Sequence, residues 1–222
     1  MAEADRIASE ELGIPLEVLM ENAAHQVAVA ARLFLRGVAG KRIVAFAGSG
    51  NNGGDALGAL RHLSGWGAAV GMILSGPVER LRPLARRQFD ILAKLSVPRD
   101  GAAVDDADLL IDGLLGYSVA GPPRDAVADL IRAANASRLP ILAVDVPSGM
   151  HPDSGEPLGV TIRAALTVTL ALPKRGLIET RSRALVGDLL LADIGIPPQA
   201  FDRLTIETRG LFEDADLVRI IR

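Results

Sequence analysis

Residues 42–55 read RIVAFAGSGNNGGD, and this passage decides the fold. Arg42–Ala47 is a short apolar run that ends in glycines, the mark of a parallel strand buried on both faces. Gly48-Ser49-Gly50-Asn51-Asn52-Gly53 then fits G-x-G-x-x-G, and a helical pattern over 53–65 follows it. A strand, a glycine turn and a helix in that order open a βαβ unit whose ligand edge is the strand's carboxyl end. One feature departs from an ordinary dinucleotide loop. The next strand ends in Leu74-Ser75-Gly76, without the acidic residue that would hold an adenosine ribose.

The same alternation extends outward in both directions. Residues 3–12 and 16–36 place apolar residues at helical spacing, with Pro15 in the joint between them. The runs 68–74, 109–115, Ile141–Val144, 165–172 and 186–192 read as further strands. Helices are expected over 78–94 and 124–137, with Arg82, Arg86 and Arg87 on the wet face of the first. From about residue 203 the chain is more charged and lacks a strong strand pattern, so a terminal helix or a tail is expected there. Strands alternating with helices predict one α/β domain over 1–222, with a mostly parallel sheet covered on both faces.

Composition sets the outer bounds. At 222 residues, 49% hydrophobic and 23% charged, the chain has the balance of one large globular domain. A net charge of -3 and no basic run longer than two residues argue against nucleic acid as a partner. The lack of cysteine excludes disulfides, zinc–thiolate sites and cysteine nucleophiles. No signal-like segment and no apolar run near 20 residues is present, so a soluble, cytoplasmic protein is expected, with no membrane partner.

Polar residues recur where the apolar strands end. The glycines among Asn51-Asn52-Gly53-Gly54-Asp55 would let backbone amides approach a ligand, and the helix start favours anions such as phosphate. Asp55 is expected in the first helical turn, so a tight turn with Asp55 offsetting the helix dipole is the plainer alternative. Asp112 follows Leu109-Leu110-Ile111, and Asp145 follows Ile141–Val144. A carboxylate at the end of a buried strand is costly unless it is paired, hydrogen-bonded or bound to a cation. The plainer alternative for each is the cap of a following helix. Lys174, one of only three lysines, falls at the same edge, where it could contact a phosphate or a carboxylate or remain a solvated charge. His25, His62 and His151 lack the spacing of metal ligands.

At these segments the sequence resembles the NAD(P)H-hydrate epimerase family. The matching pieces are Leu19-Met20-Glu21-Asn22-Ala23, Gly50-Asn51-Asn52-Gly53-Gly54-Asp55, Asp112 with Leu114-Leu115-Gly116, and Asp145-Val146-Pro147-Ser148-Gly149. Thr167 and Pro173-Lys174 match a weaker fifth piece. The resemblance implies a three-layer, Rossmann-like fold, a substrate that is NADH or NADPH hydrated at C6 of the nicotinamide ring, and a bound K⁺. It implies that Asn52, Asp112 and Ser148 hold the K⁺. It further implies that Asn51, Asn52, Gly53, Gly54 and Asp55 hold substrate, together with Gly116, Tyr117, Ser118, Val119, Ala120, Gly121, Pro122 and Asp145. Asp145 is the expected acid/base of the epimerisation. In many bacteria the domain is fused to an ADP- or ATP-dependent dehydratase, the expected functional or fused partner. None of that second domain is present in this sequence, so the chain reads as stand-alone or as an excised half. The family often forms homodimers, for which the N-terminal helices are the expected contact. Some relatives use the fold as a non-catalytic scaffold, for instance in RNA decapping, and that is the alternative function. Ala24 and Ala56 stand where the family commonly has glycine, and Ala56 is expected to narrow the phosphate loop.

Overall fold

The computed structural model describes residues 1–99, 104, 106–118 and 121–221, leaving the side chain of Ala2 aside. Val119 and Ala120 of the expected substrate loop lie outside the described residues. The strands are β1 Arg42–Ala47, β2 Ala69–Leu74, β3 Leu109–Gly113, β4 Ile141–Val144, β5 Leu166–Leu170, β6 Asp188–Ala192 and β7 Leu217–Ile220. They form one sheet in the order β2-β1-β3-β4-β5-β6-β7, parallel throughout except that β7 runs antiparallel to β6. The chain order reverses at β1, which places the switch point of the sheet between β1 and β3.

Helix α1 (Ala2–Arg6) runs into a π-helical turn, Ile7–Glu11, and α2 (Leu16–Phe34), α3 (Asn51–Gly65), α4 (Pro83–Lys94) and α5 (Asp125–Ser137) follow. Alternation along β1 fixes the layers, because successive side chains of a strand point to opposite faces. Ile43, Ala45 and Ala47 share a core with residues of α2, α3 and α4, while Val44 and Phe46 share another with Ile131 and Ala134 of α5. The fold is thus the three-layer α/β arrangement expected from the sequence.

Four of the boundaries that differ from the expectation bear on the site or on the sheet edge. Helix α3 begins at Asn51 rather than 53, with Gly50 as its N-cap, so Asp55 belongs to the second turn and not the first. The helix expected over 78–94 is divided into a 3-10 turn, Val78–Arg80, and α4, because Pro83 lacks an N–H and suits a first helical position. Strand β6 starts at Asp188, after the short helices α6 (Arg175–Ile178) and α7 (Arg183–Val186). The C-terminal stretch is neither a helix nor a loose tail. It carries a short helix α8 (Pro198–Asp202) and then β7, whose Arg219 reaches Asp188 of β6 at 2.8 Å.

Helix α3 is the most enclosed of the long helices, with Leu57, Leu60 and Leu63 each fully buried. Burying a leucine side chain contributes on the order of 2 kcal/mol. Its approach to α2 is correspondingly close, since a Cβ built on Gly58 would lie 2.6 Å from the Cβ of Ala24. Ala24 therefore belongs to helix packing rather than to a ligand surface. Gly58→Ala is expected to destabilise the protein by about 1–3 kcal/mol through overpacking, read as a lower urea midpoint. Adding Ala24→Gly should recover part of that loss, net of about 1 kcal/mol for a glycine inside a helix. No recovery in the double variant would mean that the clash lies elsewhere.

Candidate active site

At the carboxyl ends of β1, β3, β4 and β5 lies a cavity of about 380 Å³. Seven of the residues expected to hold substrate line it: Asn51, Asn52, Asp55, Gly116, Tyr117, Ser118 and Asp145. Asp112 and Ser148 lie beneath this surface, each 1% exposed. Gly53, Gly54, Gly121 and Pro122 are not on the cavity wall. For the first two the reason is steric. A Cβ on Gly53 would overlap the carbonyl of Gly48, and one on Gly54 would lie 2.6 Å from Met20 Cε. These glycines let α3 pack close. Ala56 likewise faces the sheet, against Gly113, and is fully buried, so it does not narrow the cavity.

Asp145 directly follows β4 with φ of 65°, a left-handed conformation that costs most side chains free energy and that aspartate tolerates better than most. Its Oδ1 forms a short contact with the ammonium of Lys174 and accepts bonds from Leu170 N–H at 3.3 Å and the Thr169 hydroxyl at 3.4 Å. Lys174 Nζ also donates to the Leu170 carbonyl at 3.0 Å. Lysine and aspartate are 7% and 3% exposed. The lysine is a carboxylate partner and not a solvated charge. Removing one member of such a buried pair leaves the other uncompensated, which typically costs several kcal/mol.

Asp112, inside β3, is held differently. Ser148 donates to it twice, from its N–H at 2.8 Å and from its hydroxyl at 2.7 Å, and Leu114 N–H donates at 3.2 Å. No ion pair links Asp112 to a basic side chain among the described residues. Burial pushes its carboxyl up to about 6, against the lowering effect of those three bonds. Ser148 accepts a bond from Leu115 N–H at 2.9 Å, and the Asn52 amide donates to the Leu115 carbonyl at 2.9 Å. Asn52, Asp112 and Ser148 are thus joined in one network through Leu115.

The cavity also contains residues not anticipated as part of the site. Asp5, from α1, accepts a bond from the Tyr117 hydroxyl at 3.1 Å. Desolvation raises the Asp5 carboxyl above its ordinary value, and burial with the Asp5 charge pushes Tyr117 up to about 12. Ser49 and Arg82 also line the wall. An acidic residue in a first helix looks like any solvated charge, so no signal in the sequence marked Asp5. For Lys174 the cues were the scarcity of lysine, its place at the ligand edge and the weaker match at Pro173-Lys174.

Known proteins frame this geometry. The family described as YjeF-related protein N-terminus matches residues 16–176. An NAD(P)H-hydrate epimerase of Dehalogenimonas lykanthroporepellens is 39% identical over 99% of this chain and 90% of that protein. The chain belongs to the NAD(P)H-hydrate epimerase family. Another relative, a bifunctional NAD(P)H-hydrate repair enzyme of Moorella thermoacetica, is 39% identical over 89% of this chain. There the chain spans 39% of the relative's length. Among solved structures, yeast ynu0 superposes with a TM-score of 0.85 at 26% identity, over 99% of this chain and 96% of that one. No helix among the described residues is long and apolar enough to cross a membrane.

Within this family member, Asp55 is the side chain with the clearest electrostatic signature. It is 7% exposed, and desolvation, then the charges of Asp145 and Asp5, hold its carboxyl well above the ordinary range, with Lys174 opposing them. An acid raised on folding favours the folded state when protonated, and that benefit is lost as pH rises from the ordinary aspartate value through the raised one. Asp55→Asn should therefore melt higher than wild type at pH 8, with the two curves converging as pH falls towards about 4, the unfolded aspartate value. A constant offset across that range in a melting series would contradict the assignment.

Proposed function

We propose that this chain interconverts the R and S forms of NAD(P)H hydrate at C6 of the nicotinamide ring, as part of nicotinamide-nucleotide repair. The observation that carries the reading is the buried Lys174–Asp145 pair opening on the cavity, in a chain 39% identical along 99% of its length to an NAD(P)H-hydrate epimerase. Carbon C6 of the hydrate bears a hydroxyl beside the ring nitrogen. The nitrogen lone pair can expel that hydroxyl, forming a C=N bond as the C–O bond breaks. A proton passed from the Lys174–Asp145 pair to the departing hydroxyl lets it leave as water. A water on the opposite face then attacks C6, and its proton returns to the pair with Asp145 as the base. Spontaneous interconversion is possible in principle, so the barrier to be lowered is modest. Binding the ring beside a fixed proton donor supplies that. The dehydratase expected as partner agrees with the bifunctional repair enzymes, in which a domain like this one is under half of the chain.

The potassium site belongs to the same proposal. Asn52, Asp112 and Ser148 would hold the ion, with the Leu115 carbonyl as a further donor. Carboxylate, amide, hydroxyl and main-chain oxygens are the donors that a hard cation takes. The fit is supported by Asp112, a buried carboxylate with dipoles around it and no cationic side chain bonded to it. A monovalent cation there would offset the negative charge near the substrate phosphates and fix the turn at Pro147. No group of three His, Asp or Glu side chains among the described residues converges as a transition metal would need.

Two experiments test these readings. Asp145→Asn should slow conversion of R hydrate to S hydrate at least 100-fold, the usual scale for a lost acid/base. Chromatography separates the two diastereomers, and the uncatalysed rate is subtracted. Near-ultraviolet circular dichroism establishes that the variant is folded, and full activity in a folded variant would remove Asp145 from its role. For the cation, wild type should melt higher in KCl than in tetramethylammonium chloride at matched ionic strength, and Asp112→Ala should abolish the difference. Mg²⁺ should substitute poorly, because it demands near-octahedral geometry and gives up its waters reluctantly. Equal melting of wild type in the two salts would exclude the site.

A further inference from the structure

The charged residues around the cavity fall into two groups. Asp5, Asp55, Asp145, Lys174 and the N-terminal ammonium of Met1 form one, since Asp145 and Lys174 act on both Asp5 and Asp55, Asp5 acts on Asp55, and the N-terminus acts on Asp5. Three acidic side chains face two ammonium groups, one of which is already paired with Asp145. That excess of acidic groups makes this part of the cavity unfavourable for a phosphate.

Arg82 is the arginine that lines the cavity among the described residues. It is the N-cap of α4, and Pro83 follows it as the first helical residue. Its N–H donates to the Ser49 carbonyl at 2.8 Å, which fixes it to the turn after β1. Two neighbouring arginines on α4 have partners, Arg86 with Asp90 at 2.8 Å and Arg87 with Glu17 at 3.4 Å. Among the described residues no carboxylate pairs with Arg82, and its side chain is exposed. The two hydroxyl residues Ser49 and Ser75 line the cavity with it.

We infer that Arg82 is a substrate-binding residue that takes a phosphate of the dinucleotide. The inference rests on the epimerase reading for the identity of the substrate. A molecule with a neutral ring at one end and phosphates elsewhere has one favourable orientation in such a field. Its ring lies against Asp145 and Lys174, and its phosphates lie beside Ser49, Ser75 and Arg82. A guanidinium presents a planar fork of donors that matches phosphate oxygens, and an unpaired one is free to use it. The phosphate is either the bridging diphosphate, common to both hydrates, or the ribose 2′-phosphate, present only in the NADPH form.

The test is steady-state epimerisation of purified NADH and NADPH hydrates by wild type, Arg82→Ala and Arg82→Lys, beside calorimetric binding of ADP-ribose and 2′-phospho-ADP-ribose. Both probes lack the nicotinamide, so they report on the phosphate end independently of the chemistry. Arg82→Ala should raise KM about tenfold or more, the scale of a hydrogen bond to a charged group. It should change kcat by less than about twofold, because binding is lost equally from ground and transition states. The affinity for the probes should fall in parallel, and Arg82→Lys should recover part of both losses. Equal losses for the two hydrates identify the diphosphate, and losses confined to the NADPH form identify the 2′-phosphate. Either result supports the inference. Unchanged KM and probe affinity in Arg82→Ala would overturn it, as would a loss of kcat alone. Should wild type bind ADP-ribose through Arg82 without epimerising either hydrate, the epimerase reading fails and the phosphate contact stands.

Discussion

The close seating of α3 against the ends of β1 and β3 is the constraint on which the rest of the molecule depends. Gly48 meets Leu114 and Gly113 meets Ala56 with no space for a further carbon, and the Cβ that Gly113 lacks would lie 2.5 Å from that of Ala56. This proximity draws three strand ends together. Asn52 reaches the Leu115 carbonyl, Leu115 reaches Ser148, and Ser148 reaches Asp112. Were α3 held a side chain further out, the network joining the loops after β1, β3 and β4 would be broken. The glycines act here as spacers. They set the separation of the layers, and the polar residues act at the distance that results.

Two strand-end carboxylates, alike in sequence, receive different treatment. Asp145 is given an ammonium ion, and it opens on the cavity. Asp112 is given dipoles alone and is sealed beneath the surface. The difference follows from environment, since both side chains are the same acid.

Much of this was legible in the sequence because parallel strands are buried on both faces. Val44, Phe46 and Ile111 leave nearly continuous apolar runs, and the polar residue ending each run marks the ligand edge. Asp112, Asp145 and the Asn51-Asn52 pair were found in that way. The packing of Gly53, Gly54 and Ala56 was not legible, because the neighbour that a Cβ meets, or would meet, is known only from the tertiary structure. Asp5 and Arg82 were placed by tertiary packing of helix starts, where charged residues are common for unrelated reasons. Strand β7 was hidden for another reason. Four residues, LVRI, carry too little pattern to be seen, and their pairing depends on β6 being adjacent in space.

The cavity wall joins Asp5 to Lys174 by way of Tyr117, so its parts come from near the start, the middle and the later portion of the sequence. Contacts of such wide separation require most of the sheet to be in place before they can be made, and closing long loops is entropically slow. The core that α2 and α3 cover reaches just as far, since it includes residues of β4, β5 and β6. A chain that has made only β1 and α3 has the turn after β1, while the ammonium partner of Asp145 comes from beyond β5.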